Sequence, residues 1–236
     1  MQESPLVTLN PDAKVSILTP GQESTPVVVM DNFVREIGPA FDDAQSLAFS
    51  APQQAIYPGV RAPLPRAYAL PVLQGLVKLI AELYQVPAHL RPRPENLFYS
   101  LVSTSPESLS SAQRIPHFDS LYPYQFAIMH YLASGPHGGT AFYRHKASGF
   151  ESVTQPRYAE YRQQLDVELQ ESPPKSGYFK ESDGYFERIE ALEYRPNRLL
   201  IYPGTLLHSG LIDSATDIDE NPATGRLTAN LFLIFS

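Results

Sequence analysis

His117 and Asp119 stand one residue apart in "RIPHFDSLYPYQ", and a second imidazole, His208, lies far downstream in the apolar run "NRLLIYPGTLLHSGLI". On an extended strand, side chains two positions apart project to the same face, so His117 and Asp119 are presented together. Two imidazoles and one carboxylate from separate segments can fill three positions on one face of a metal's octahedron. That set suits non-haem Fe(II), and the positions left open allow redox chemistry with oxygen. A His-x-Asp pair alone is a short motif that chance also produces. Its plain alternative is a strand-end His117 hydrogen-bonded to Asp119 and solvent.

Three further features add to the pair. In "GPHGGTAFYRH", Gly138 and Gly139 predict a tight turn into a strand whose backbone can approach another group closely. Pro203-Gly204 predicts a turn between two apolar runs, which puts His208 on a strand returning beside the first. Arg226 opens the otherwise apolar run "GRLTANLFLIF". A buried arginine needs a fixed anionic partner, and a carboxylate co-substrate held by both arms of the guanidinium would be one.

These residues need strands to carry them, and the sequence supplies them. "NLFYSLVST", "QFAIMHYLAS", "GTAFYRH", "RLLIYPG", "LLHSGLI" and "RLTANLFLIFS" are short, aromatic or β-branched, and punctuated by Gly, Pro, Ser or Asn. "PRYAEYRQQLDVELQES" interrupts them as a helix. Upstream, "NPDA" between two short apolar pieces from Leu6 to Leu18 predicts a hairpin, and Pro26 to Val34 a strand followed by a turn. "PAFDDAQSLAF" reads as a short helix. Ala51 to Pro65 reads as a proline-punctuated loop containing Tyr57 and Arg61, surface wrapping first and functional use second. "PVLQGLVKLIAELYQV" carries Val72, Leu76, Ile80 and Leu83 on a helical stripe and is expected to pack on the sheet.

The 23 prolines, roughly twice average usage, favour many turns and short elements over a helical bundle. The expected fold class is therefore mainly β with supporting helices, a β-sandwich or barrel. One domain is expected over residues 1–236, with core strands at about 96–236 and N-terminal strands and supporting helices at about 1–95. A net charge of −7 gives no electrostatic reason to expect nucleic acid or an anionic membrane as partner. The lack of cysteine excludes disulfides, thiolate chemistry and Cys-type zinc sites. The N-terminus shows no signal-peptide pattern and no apolar run approaches a membrane span, so a cytoplasmic location is expected.

The order "HFD", "YLASG", "GGTAF", "LLIYPGTLLHSG" and "RLT" resembles the double-stranded β-helix (jelly-roll, cupin-like) core of Fe(II)- and 2-oxoglutarate-dependent oxygenases. The likeness is nearest to the prolyl-hydroxylase-like branch and, within it, to an uncharacterised bacterial family. It covers roughly residues 96–236. The resemblance implies that His117, Asp119 and His208 ligate Fe(II) and act as the catalytic centre. It implies that Arg226 holds the distal carboxylate of 2-oxoglutarate, with Thr228 beside it and Tyr131 donating to the same group. O2 would be the second co-substrate and hydroxylation of a small molecule, amino acid or peptidyl side chain the outcome, with a homodimer possible.

One departure stands out. Arg226 follows His208 at about twice the interval usual in relatives. The excess, Asp213 to Thr224, reads as an inserted hairpin loop over the site. If it shifts the strand register, Arg226 faces outward and the co-substrate assignment fails. The remaining histidines, His89, His130, His137 and His145, read as structural or exposed. Of these, His145 is expected near the pocket mouth beside Arg144 and Lys146. Tyr202 and Phe142 read as core packing. Two rival readings keep the fold: a cupin-type metal enzyme without 2-oxoglutarate, and a non-catalytic binding module.

Overall fold

A computed structural model describes residues 4–52 and 57–236. Its strands are β1 (Lys14–Leu18), β2 (Val27–Asp31), β3 (Gly59–Pro63), β4 (Pro92–Val102), β5 (Gln125–Tyr131), β6 (Thr140–His145), β7 (Phe186–Leu192), β8 (Leu199–Pro203), β9 (His208–Gly210) and β10 (Thr228–Phe235). The helices are α1 (Gly38–Gln45), α2 (Arg66–Leu83) and α3 (Tyr158–Glu171). A seven-stranded antiparallel sheet runs β1-β2-β8-β5-β10-β4-β3, and a three-stranded sheet runs β7-β6-β9. The backbone bridge between His117 and His208 extends the smaller sheet by one more segment. From β4 onward the chain passes repeatedly between the two sheets: β4 large, His117 small, β5 large, β6 and β7 small, β8 large, β9 small, β10 large. This alternation is the double-stranded β-helix, and it leaves a cavity between the sheets.

The burial of each strand follows from what covers it. β8 (LLIYP) is buried at every position, and β2 (VVVMD) at all but its last, as expected of strands enclosed on both faces. The outer face of the large sheet is covered by α1 and α2. Tyr99 of β4 donates its hydroxyl to Asp43 of α1 at 2.9 Å, and Tyr68 of α2 meets His130 Nδ1 of β5 at 2.6 Å. Val72, Leu76 and Ile80 are buried in this layer, so the helical stripe packs as expected. The helix begins at Arg66, upstream of the predicted start, and carries Pro71 inside it. Proline removes the N–H that would bond Ala67, and that carbonyl instead accepts the Leu6 N–H at 2.9 Å. The N-terminal segment thus repairs the helix it crosses.

Several local expectations are corrected. The turn at Asn10 forms, but its arms do not pair with each other. Leu9 bridges Val34, while β1 pairs with β2, because those partners belong to the sheet. Of the predicted loop Ala51 to Pro65, Gln53–Ile56 lie outside the described residues, and Gly59–Pro63 is a strand on the sheet edge. An edge tolerates proline because one side of the ladder has no donor to lose. β7 was not predicted: "FERIEAL" carries three charges, Glu187, Arg188 and Glu190, because it too is an edge strand. β8 and β9 do not form a hairpin. Pro203-Gly204 carries the chain from the large sheet to the small one. Among the described residues, no helix is long and apolar enough to cross a membrane.

Arg198 ties β8 to β2, donating from Nε to Asp31 Oδ1 at 2.6 Å and from Nη2 to Oδ2 at 2.9 Å. The Arg198 hydrogen bond holds the Asp31 carboxyl below its usual range. The stabilisation is fully present above the unfolded value, about pH 4, and is lost as pH falls through the lowered folded value. Asp31→Ala is expected to cost about 2–3 kcal/mol in urea unfolding at neutral pH, less than a fully buried pair because Asp31 is partly exposed. The gap between variant and wild type is expected to narrow in acid.

Candidate metal centre

His117 and His208 are joined through their backbones before their side chains meet. His117 N–H donates to His208 O at 2.9 Å and His208 N–H to His117 O at 2.8 Å, which fixes the register of the two segments. The rings lie 4.3 Å apart, centroid to centroid. Asp119 is fixed separately: its N–H and that of Ser120 both donate to Gly204 O, at 2.7 and 3.0 Å. The carboxylate then stands 3.9 Å from His117 Nε2 and 3.6 Å from His208 Nε2. One ligand-capable atom from each of the three residues lies within 4.8 Å of the others.

The donor set fits a divalent metal in its tautomer as well as its spacing. His208 Nδ1 lies 2.8 Å from Leu206 O, an acceptor that places the proton on Nδ1 and leaves the Nε2 lone pair facing Asp119. Neighbouring ligands of an octahedral ion at about 2.1 Å are roughly 3 Å apart, so the two carboxylate–imidazole separations need close by less than an ångström. Burial lowers His208 to about 4, and burial with repulsion from His208 lowers His117 to about 4. Both imidazoles are neutral at ordinary pH. Burial pushes the Asp119 carboxyl up, against the pull of His117 and Arg61. A dication at this point favours the neutral imidazoles and the ionised carboxylate together. The half of its side-chain surface that His117 exposes opens on the cavity it lines.

That cavity has a volume of about 620 Å³, ample for a small-molecule ligand. Ala127 and Met129 of β5 and Asn230 and Phe232 of β10 come from the large sheet, His208 and Thr140 from the small one, and Tyr158, Tyr161 and Leu165 from α3. Arg226 lies on its wall, is only 4% exposed, and precedes β10 rather than opening it. Its Nε donates to Gly138 O at 2.6 Å and its Nη2 to Gly139 O at 3.0 Å. The guanidinium also stands over the Tyr131 and Tyr194 rings, at 5.5 and 5.8 Å. Tyr131 and Thr228 are buried, on the strand faces that also carry Met129 and Asn230. The Tyr131 hydroxyl pairs with Thr140 Oγ1 at 2.8 Å, and Thr228 Oγ1 accepts from Asn230 at 2.9 Å.

Other expected placements are changed by packing. The Asp213 to Thr224 segment is a succession of turns with no strand, not a hairpin, and Asp217 within it is fully buried. Asp217 takes hydrogen bonds from the Gly138 and Asp213 N–H groups at 3.0 and 2.7 Å and pairs with His137 at 3.0 Å. The insertion therefore braces the Arg226 corner from behind. His145 is not at the pocket mouth: it is buried between Ser148 and Glu168 of α3. Arg144 is neutralised by Glu151 and Glu187, and Lys146 donates to Asp183 O. Tyr202 and Phe142 pack ring to ring, and Tyr202 also lines the cavity. Sequence reasoning missed the α3 wall and the two carbonyls, Gly204 and Leu206, that orient the cluster. A backbone carbonyl has no residue signature.

The class defined by fold and site is a double-stranded β-helix protein with a His-Asp-His cluster able to hold a metal ion. The chain belongs to the family described as "Family of unknown function (DUF6445)", which matches residues 11–233. No curated protein matches it. Among solved structures it is similar to HygX from Streptomyces hygroscopicus with nickel, 2-oxoglutarate and hygromycin B bound, at 13% identity and a TM-score of 0.48, covering 89% of this chain and 83% of that one. HygX with nickel and 2-oxoglutarate alone gives a TM-score of 0.46 at the same identity and coverage. An N-substituted L-amino acid dioxygenase from Burkholderia ambifaria AMMD gives 0.37 at 11% identity, covering 94% of each chain.

A Cβ added to Gly138 would sit 1.6 Å from Leu211 O and 2.8 Å from Asp217 Oδ2. Since backbone cannot yield as a flexible side chain does, Gly138→Ala is expected to destabilise by about 3 kcal/mol or more. A fall in Tm in thermal unfolding checks this, and an unchanged Tm would show that the corner is not close-packed.

Proposed function

We propose that the protein is an Fe(II)- and 2-oxoglutarate-dependent dioxygenase that hydroxylates a small molecule, an amino acid or a peptidyl side chain. The observation that carries this reading is the convergence of His117, Asp119 and the Nε2 lone pair of His208 on a cavity that also holds the buried Arg226. Bound at such a cluster, iron with 2-oxoglutarate supplies an oxidant derived from O2, with succinate and carbon dioxide as by-products. The protein's own work is ligand geometry, orientation and exclusion of water. His208 keeps its lone pair available because Leu206 O holds the other proton. Arg226 is aimed by the Gly138 and Gly139 carbonyls, so its remaining N–H groups present a fixed cation to the distal carboxylate. Tyr131, fixed by Thr140, and Thr228 support that corner.

A second reading, a cupin-type metal enzyme without 2-oxoglutarate, is favoured by one observation. Arg226 already has two carbonyl partners, and its charge acts on the buried Asp217 carboxylate, so it is partly satisfied without any ligand.

Anaerobic titration is expected to show one Fe(II) bound by wild type and a loss of affinity of at least about 100-fold in His117→Ala. Reconstituted wild type is expected to release succinate from 2-oxoglutarate, and His117→Ala is not. Failure of wild type to bind Fe(II) would sink the metal assignment. Arg226→Ala is expected to weaken 2-oxoglutarate binding by about 2–5 kcal/mol. Iron binding with unchanged 2-oxoglutarate affinity in that variant would transfer the conclusion to the second reading.

A further inference from the structure

Arg61 is a cation in the cavity that the reaction proposed above leaves unused. Its backbone is held from both sides. In β3 it is in register with Ser100 of β4, and on the other side it exchanges two hydrogen bonds with Ser50, each 2.9 Å. The guanidinium carbon stands 4.1 Å from the Phe98 ring centroid and 4.5 Å from that of Tyr57. Aromatic faces hold a planar cation in this way while leaving its N–H edge for other partners.

Among the described residues those partners are not supplied. Among the described residues, Arg61 has no ion pair, and its Nε is buried without a hydrogen bond. The Tyr57 hydroxyl, also buried on the cavity wall, has no well-formed hydrogen bond among the described residues and only a weak pairing with Ser100. Buried donors left without acceptors are rare and costly, so the unpaired Arg61 Nε beside a weakly paired Tyr57 hydroxyl points to a ligand that accepts from both. The cavity's other two arginines are engaged, Arg226 with the Gly138 and Gly139 carbonyls and Arg162 with Asp166. Asp119 and Arg61 feel each other's charge, so a group held by Arg61 lies within the field of the metal cluster. Much of the remaining lining is apolar or aromatic, including Ile115, Phe118, Tyr158 and Phe232.

We propose that Arg61, with the Tyr57 hydroxyl, anchors the prime substrate through a carboxylate carried on an apolar or aromatic body. One guanidinium edge and one phenol match the two oxygens of a single planar monoanion. Asp119 nearby and the overall charge of −7 weigh against a group of higher negative charge. The inference rests on the oxygenase reading, in which Arg226 is reserved for 2-oxoglutarate and the substrate needs a cation of its own.

The test is calorimetric titration of phenylacetate and its neutral counterpart phenylacetamide, under anaerobic conditions, into protein loaded with Fe(II) and 2-oxoglutarate and into metal-free protein. Wild type is expected to bind the carboxylate about tenfold or more tightly than the amide. Arg61→Gln is expected to abolish that preference, and Tyr57→Phe to reduce it by a smaller factor. If Arg61→Gln does not fold, Arg61→Met, which keeps a stem against Phe98, takes its place. Equal affinity for the two probes in wild type, or a preference that survives loss of Arg61, overturns the proposal. So does a larger fall in 2-oxoglutarate affinity than in phenylacetate affinity, which would make Arg61 the co-substrate's anchor. Failure of wild type to bind Fe(II) or 2-oxoglutarate strikes the oxygenase reading instead, and the metal-free titration still decides on Arg61.

Discussion

Two backbone hydrogen bonds exchanged between His117 and His208 set the geometry on which the candidate centre depends. They lock a segment with little regular structure of its own against the shortest strand of the small sheet. A slip by one residue would turn one imidazole away from the cavity, because alternate side chains point to opposite faces. The same chain reversal supplies the other constraints. Gly204 O receives the Asp119 N–H, and Leu206 O fixes the His208 proton, so one crossing between the sheets positions both the carboxylate and the second imidazole.

A second dependence lies at the opposite flank of the cavity wall, where Gly138 and Gly139 pass so close to Leu211 and Leu192 that no Cβ fits. Their carbonyls aim Arg226, and the Gly138 N–H bonds Asp217. The carboxylate feels burial first, but hydrogen bonds from His137 and Asp213 and the Arg226 charge outweigh it and hold it ionised. The long interval between His208 and Arg226 therefore does not throw the arginine outward. The inserted turns build a buried acid that steadies the corner from behind.

Strand-forming runs were legible because alternation and β-branching are local properties, and all six segments read as strands around the site contain one. The edge strands β3 and β7 were not, since a half-exposed edge carries proline or charge and reads as loop or surface. His145 was misplaced for a related reason. Its basic neighbours suggest a rim, yet Glu151 just beyond the strand and Glu168 and Glu187 from later segments neutralise or bury the group. The supposed hairpin at Pro203-Gly204 failed because a turn signal says that the chain reverses, not which sheet receives it.

The sequence by itself determined residue types and periods: a His-x-Asp pair, a later histidine in an apolar run, an arginine before the last strand, and enough short strands for a double-stranded β-helix. Only the tertiary structure decided which of these groups meet. It brought His117, Asp119 and His208 within reach of one ion and turned Arg226 inward, over the Tyr131 ring. It also left Arg61 among aromatic rings with a donor unmet. The physical reason is that charge, tautomer and hydrogen-bond satisfaction depend on burial and on carbonyls contributed by remote segments, and neither is written in a residue's own neighbourhood.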